Sequence, residues 1–151
     1  MTTVSRTASV PYSAQQMFDL VNDIAAYPEF MAGCVAACIL KTEESWVEAR
    51  LSLGHGGIQQ SFVTRNELKP PKQMIMRQVE GPFKHFEGVW LFDENKSENN
   101  TSCQVSLNLD FAFKSPLLGL TVGKMVEHIA NKQVDCLCQR ARHVYTNNPL
   151  F

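Results

Sequence analysis

Hydrophobic and polar residues alternate strictly at the start of the chain. Val4, Arg6, Ala8 and Val10 fall on one face, and Thr3, Ser5, Thr7 and Ser9 on the other. A period of two over Thr2 to Val10 predicts a strand, and a face of small hydroxyls suits an edge or half-exposed position. Pro11-Tyr12-Ser13 ends it. Ser13 is an N-cap residue with Gln16 three positions on, the spacing of a capping box. Met17, Phe18, Leu20 and Val21 then follow helical steps until Asn22-Asp23. Ile24 to about Tyr27 predicts a second short helix. Pro28 restricts its neighbour, Glu29-Phe30-Met31 can start a new turn, and Gly33 marks the exit.

From Cys34 to Phe113 the pattern is strand after strand. Val35 to Lys41 is followed by a run in which Val47, Ala49, Leu51 and Leu53 alternate with Trp46, Glu48, Arg50 and Ser52. Gly54-His55-Gly56-Gly57 predicts a hairpin turn. Ile58 to Leu68 comes next, with Phe62 near its centre, and Pro70-Pro71 breaks the pattern. Gln73 to Val79 ends at Gly81-Pro82, Lys84 to Phe92 follows, and Asp93 to Asn100 reads as a polar turn. Ser102 to Phe113 alternates most cleanly. Cys103, Val105, Leu107, Leu109, Phe111 and Phe113 oppose Ser102, Gln104, Ser106, Asn108 and Asp110, which implies one buried and one wetted sheet face.

The rhythm then lengthens. Leu118, Val122, Met125, Ile129, Val134, Leu137, Ala141 and Val144 recur at three- and four-residue steps and predict a long amphipathic helix, roughly Ser115 to Tyr145. Ser115 can cap it, with Pro116 at the first helical position. Lys132, Arg140, Arg142 and His143 lie in its second half, where the helix dipole favours cations. The order of strand, two helices, six strands and long helix predicts one α+β domain over residues 1–151. In it a curved, seven-stranded antiparallel sheet wraps around the C-terminal helix. One helix cannot easily fill the hollow of so wide a sheet, so a cavity between them is expected.

Composition narrows the function classes. The 151 residues suit one domain, with 44% hydrophobic and 19% charged residues. A net charge of -1 argues against a strongly basic nucleic-acid module, and DNA is not an expected partner. No apolar run approaches the roughly 18 residues of a membrane span, and Met1 to Val10 lacks the continuous apolar stretch of a signal peptide. The five cysteines, Cys34, Cys38, Cys103, Cys136 and Cys138, are odd in number and read as free thiols of a cytoplasmic protein. Their spacings fit no zinc site, and no metal or cofactor is expected.

Several segments in order resemble the coenzyme-Q-binding, polyketide-cyclase-like branch of the START superfamily. They are Val10 to Phe18, Leu20 to Asp23, Tyr27 to Phe30, Phe62-Val63-Thr64-Arg65-Asn66, Gly81 to Lys84, Gly88-Val89-Trp90 with Phe92, Leu109 to Phe113, and Arg140 to Tyr145. The resemblance spans nearly the whole chain and is nearest to a bacterial group of ribosome association toxins. It implies a helix-grip (START-like) fold with a hydrophobic tunnel. It also implies non-catalytic binding of ubiquinone or another polyprenyl lipid there, and contact with the large ribosomal subunit that blocks subunit joining. Remoter relatives close polyketide rings, which keeps a small-molecule enzyme as the alternative. The chain departs from the family at Ala32, where a proline is expected, and at Lys132-Gln133 and Cys136-Leu137-Cys138, where apolar and bulkier aromatic residues are expected.

The expected cavity wall is Phe62, Trp90, Phe92, Leu107, Leu109, Phe111, Met125, Ile129 and Leu137; each would otherwise be plain core. Met17, Met31, Met74, Met76 and Met125 could line it adaptably or serve as filler. Arg50, Arg65, Arg77 and His85 could reach a quinone carbonyl, but buried arginine is rare unless paired, so the wetted face is the stronger reading. A ribosomal patch would use Lys69 and Lys72 or the basic end of the last helix, since the net charge gives no general affinity for RNA. Catalytic signals are thin. His55, His85, His128 and His143 are scattered, and no residue has the context of a nucleophile elbow. Cys136 stands two helical turns, about 10 Å, from His143. The Gly54 to Gly57 run lies in a hairpin and not between a strand and a helix.

Overall fold

In the computed structural model, which describes residues 1–146, a 7-stranded antiparallel sheet has the order β1-β7-β6-β5-β4-β3-β2. The strands are β1 (Thr2–Val10), β2 (Cys34–Thr42), β3 (Trp46–His55), β4 (Ile58–Lys69), β5 (Gln73–Glu80), β6 (Phe83–Ser97) and β7 (Asn100–Phe113). Helix α1 (Ala14–Val21), a 3-10 turn (Ile24–Ala26) and helix α2 (Tyr27–Phe30) join β1 to β2, and helix α3 (Pro116–Ala141) follows β7. Sequence neighbours pair throughout β2 to β7, and β1 closes on β7 with Val4 opposite Leu109 and Val10 opposite Cys103. No helix among the described residues is long and apolar enough to cross a membrane.

Local chemistry sets the boundaries. Ser13 Oγ accepts from Gln16 N at 3.0 Å while Gln16 Oε1 accepts from Ser13 N at 2.9 Å, which completes the capping box of α1. Ser115 Oγ accepts from Leu118 N at the start of α3, and Pro116 occupies the first turn, where its missing N–H costs nothing. Pro28 likewise sits in the first turn of α2. At the β3–β4 turn Gly56 and Gly57 have φ of 58° and 84°, the two left-handed conformations of a tight hairpin.

Three expected boundaries differ. The second short helix, expected over Ile24 to about Tyr27, is a 3-10 turn over Ile24–Ala26, and α2 begins at Tyr27 with Pro28 inside its first turn, where a missing N–H is tolerated. The polar stretch Asp93 to Asn100 is mostly strand: Glu94 faces Cys103, Asn95 faces Ser102 and Lys96 faces Thr101. Its polar character reflects a solvated extension of the β6–β7 hairpin, because backbone pairing does not require an apolar face. The last helix also ends its regular course at Ala141, and Arg142–Thr146 form a π-helical turn. The wider i→i+5 turn breaks the 3.6-residue register, so Val144 is exposed and not part of the inward stripe. Tyr145 instead packs 5.6 Å from Tyr12 and donates to Gln16 O at 2.8 Å, fastening the chain to α1.

The core divides into two clusters along α3. In the first, Val134, Leu137, Cys138 and Ala141 pack with Met17, Phe18, Val21 and Ile24 from the α1 segment and with Phe92, Val105 and Leu107 from the sheet. In the second, Val122, Met125, Val126, Ile129 and Ala130 pack with Leu53, Phe62, Phe83, Leu109 and Phe111. Helix α1 therefore supplies a third layer only to the first cluster.

Candidate functional site

The hollow between α3 and the sheet holds a cavity of about 90 Å³ where the two clusters meet. Its sheet wall is Leu51, Leu53, Phe62, Thr64, Met76, Phe86, Trp90, Leu107 and Leu109. Helix α3 contributes Val126, Ile129, Ala130 and Gln133, and the segment around α2 contributes Tyr27, Met31 and Cys34.

Alternation explains the sheet wall. Phe62, Thr64 and Asn66 are buried on one side of β4, while Arg65 and Glu67 face outward. Leu107 and Leu109 hold the same inward phase of β7. Gly88 lets the wall close: a Cβ there would stand 2.6 Å from Met76 Cε and 2.9 Å from Leu109 Cδ1. Gly33 does the same on the helix side. Its φ of 80° is a left-handed conformation, and a Cβ would meet Ile129 Cδ1 at 2.4 Å.

Of the residues singled out from the sequence, Phe62, Trp90, Leu107, Leu109 and Ile129 surround the cavity. The other four belong to the packed core around it. Phe92 stacks on Trp90 with ring centres 6.2 Å apart and meets Phe18 edge-on. Phe111 packs edge-on against Phe83 at 5.8 Å. Met125 and Leu137 are buried in the second and first clusters respectively. Among the methionines, Met31 and Met76 line the cavity, whereas Met17 and Met74 are core filler.

The arginines lie outside. Arg65 pairs with Glu48 at 2.6 Å and stacks over Trp46, and Arg77 bridges Glu67 and Glu87. Arg50 and His85 are exposed. These pairs on the wetted face explain how strand arginines are accommodated without burying charge.

The sequence marks Gln133 only as a departure from the resembling family and does not assign the polar groups to the wall. Gln133 Nε2 donates to Ala32 O at 3.2 Å and to Ile129 O at 2.9 Å, tying α3 to the exit of α2. Ala32 N donates to Cys136 Sγ at 3.5 Å. The proline expected at position 32 from the resemblance would have no N–H to give to Cys136. Thr64 is buried and its Oγ1 has no hydrogen-bond partner; Asn66 Oδ1 beside it is in the same state. Their signal was readable, since alternation with Phe62 puts both on the inward face.

Tyr27 and Cys34 are the titratable residues of the wall. The Tyr27 hydroxyl donates to Val21 O, and burial first, then the nearby Cys34 and Asp23, push its pKa upward. Burial also pushes up the Cys34 thiol, partly offset by the backbone at Ala36. Both groups are therefore held in their neutral forms. Elsewhere, Cys136 and His143 share an outer groove with Glu29 and Arg140, but no described hydrogen bond joins either Cys136 or Cys138 to His143. The five cysteines are unpaired, and no group of three or more His, Cys, Asp or Glu among the described residues could hold a metal.

Residues 10–138 match the family described as polyketide cyclase / dehydrase and lipid transport. The chain is 40% identical over 144 residues to the Ribosome association toxin RatA of Pseudomonas aeruginosa, covering 95% of this chain and 98% of that one. The Vibrio cholerae protein of the same name is 39% identical over 145 residues, covering 96% and 99%. The mitochondrial Coenzyme Q-binding protein COQ10 homolog B of Xenopus laevis is 24% identical over 142 residues, covering 93% of this chain and 58% of that one. The fold superposes on an aromatase/cyclase from Streptomyces sp. R1128 with a TM-score of 0.77 at 19% identity, covering 97% and 98% of the two chains. The architecture is thus the helix-grip START-like fold.

Proposed function

The chain belongs to the polyketide cyclase / dehydrase and lipid transport family, and from that membership we propose that it binds an apolar ligand between α3 and the sheet without transforming it. The observation that carries this reading is the cavity itself, walled by aliphatic and aromatic side chains from both core clusters. An apolar ligand would remove that wall from water at a gain of about 25 cal/mol per Å². The ligand class is ubiquinone or another polyprenyl lipid. A relative named as a coenzyme Q-binding protein supports it, as do the adaptable Met31 and Met76.

The size of the cavity sets a condition. A 150 Å³ apolar cavity accepts benzene, so one of about 90 Å³ must widen to admit a quinone ring. The seam at Gln133, where α3 is tied to Ala32 by a side-chain bond, is where that opening would start. Against a cyclase or other small-molecule enzyme stands the wall itself, whose titratable groups are Tyr27 and Cys34, with the Tyr27 hydroxyl already bonded to Val21 O. Mass spectrometry of organic extracts of the purified protein tests the reading. A stoichiometric quinone or prenyl lipid supports it; repeated empty extracts, with no binding of added quinone, refute it.

A second reading concerns the outer surface. Relatives 39% and 40% identical over nearly their whole length are named ribosome association toxins. We infer that this chain also docks on the large ribosomal subunit and opposes subunit joining, which places it in the cytoplasm. Lys69 and Lys72 are exposed at the β4–β5 turn, Lys132 in the second half of α3, and Arg142 and His143 in the turn that follows it. Either patch could meet phosphates despite the net charge of -1. Cosedimentation with large subunits in sucrose gradients at moderate salt is expected, and its absence would sink this part alone.

A further inference from the structure

Four buried side-chain polar atoms among the described residues lack a hydrogen-bond partner, and two of them, Thr64 Oγ1 and Asn66 Oδ1, belong to one face of β4. Thr64 lines the cavity and is 2% exposed; Asn66, 3% exposed, pairs across the ladder with Met76, which lines it too. Leaving such atoms unpaired in an apolar setting is costly, so native proteins rarely do it without a use. Water is a poor remedy here. A buried water needs two to four polar partners, and beyond these two atoms the wall is almost wholly carbon, with the Gln133 amide nitrogen already committed to two carbonyls, so a water there would sit at the lower limit and yield to a ligand oxygen.

We propose that Thr64, seconded by Asn66, is the polar anchor of the cavity, so that the ligand is an apolar body carrying a hydroxyl or carbonyl oxygen and not a plain hydrocarbon. This rests on the ligand-binding reading above and orients it: the oxygen meets β4 and the apolar remainder lies along α3. A threonine hydroxyl donates to a carbonyl or accepts from a hydroxyl, and an asparagine side chain can serve either role. Binding would then give both atoms a partner, a selectivity that apolar packing alone cannot supply.

The test uses indane, 1-indanol and 1-indanone, which share one skeleton and differ in oxygen, titrated by NMR into the intact protein and its Thr64→Val and Thr64→Ser variants. Valine replaces an unpartnered hydroxyl by a methyl of the same shape, so T64V should fold with an unchanged or raised melting temperature. In T64V the affinity for the alcohol, the ketone or both is expected to fall about tenfold, while that for indane stays within about twofold; T64S should retain the oxygenated ligands. Whether the alcohol or the ketone suffers more tells whether Thr64 acts as acceptor or donor. If T64V leaves all three affinities unchanged, or weakens all three alike, the anchor is refuted while the cavity reading stands. Failure of all three to bind the wild-type protein would refute both.

Discussion

The two halves of α3 face the same sheet under different conditions. From Val134 to Ala141 the helix has α1 beside it, and Met17, Val21, Val105 and Leu137 are completely buried. From Val122 to Ala130 α1 is absent and only the α2 exit reaches the helix, at Ile129, while Phe62, Phe83, Phe86 and Phe111 pack together beside it. The cavity lies at the seam. A solid core and a binding site can therefore share one helix, and what separates them is the presence of a covering layer more than the chemistry of the residues.

The contrast can be broken most sharply by truncation. Leu137→Ala, in the solid half, is expected to cost about 3–5 kcal/mol in urea denaturation, because its surroundings cannot collapse. Ile129→Ala should cost nearer about 2 kcal/mol, because a void already borders it. Equal losses would show that the two halves are packed alike.

Enlargement gives the converse. Ala141 is wholly buried, and Ala141→Leu should overpack the solid half by about 1–3 kcal/mol. Ala130→Leu projects into the cavity, so it should change stability by less than about 1 kcal/mol and abolish apolar-ligand binding in the same preparation. A ligand that still binds A130L would place its site elsewhere.

Alkali probes the solid half separately. Burial, reinforced by Glu94 and Asp93, pushes the Cys103 thiol from 9.0 to about 11. The folded state thus keeps a proton that the unfolded chain releases. Its contribution is fully present below about pH 9 and is lost as pH rises towards 11, a decline on the order of 1–3 kcal/mol. Urea midpoints should fall across that window, and Cys103→Ala should flatten the slope. A modest effect is expected at the caps. Ser13→Ala should cost about 1 kcal/mol, read from the melting temperature, without altering ligand affinity, because α1 touches only the solid half.

Most of the frame was legible in the sequence because its signals are local. Ser13 with Gln16, the glycines of the β3–β4 turn, and the alternation of Ser102 to Phe113 each dictate one element without reference to distant residues. The cavity was legible as a consequence of topology, but its wall only in part. Phe92 and Phe111 share the inward phase of Leu107 and Leu109, and nothing in the alternation says that Phe18 and Phe83 will cover them. Leu137 shares the stripe of Ile129, yet α1 arrives to pack on one and not the other. Thr64 stood out only within a segment of the resemblance and Gln133 only as a departure from it, and neither signal points to a polar group in an apolar wall. Only the hydrogen bonds of Gln133 and the lack of one at Thr64 distinguish them.

The central claim is that an apolar ligand occupies the seam between these halves. Methyl-resolved NMR during titration with 1-indanol tests it most directly. The account predicts shifts concentrated at the methyls of Ile129, Val126, Leu53, Leu107, Leu109 and Met76, with Met17, Val21 and Leu137 unmoved. Shifts centred on Met17, Val21 and Leu137, or none at saturating ligand, would contradict it.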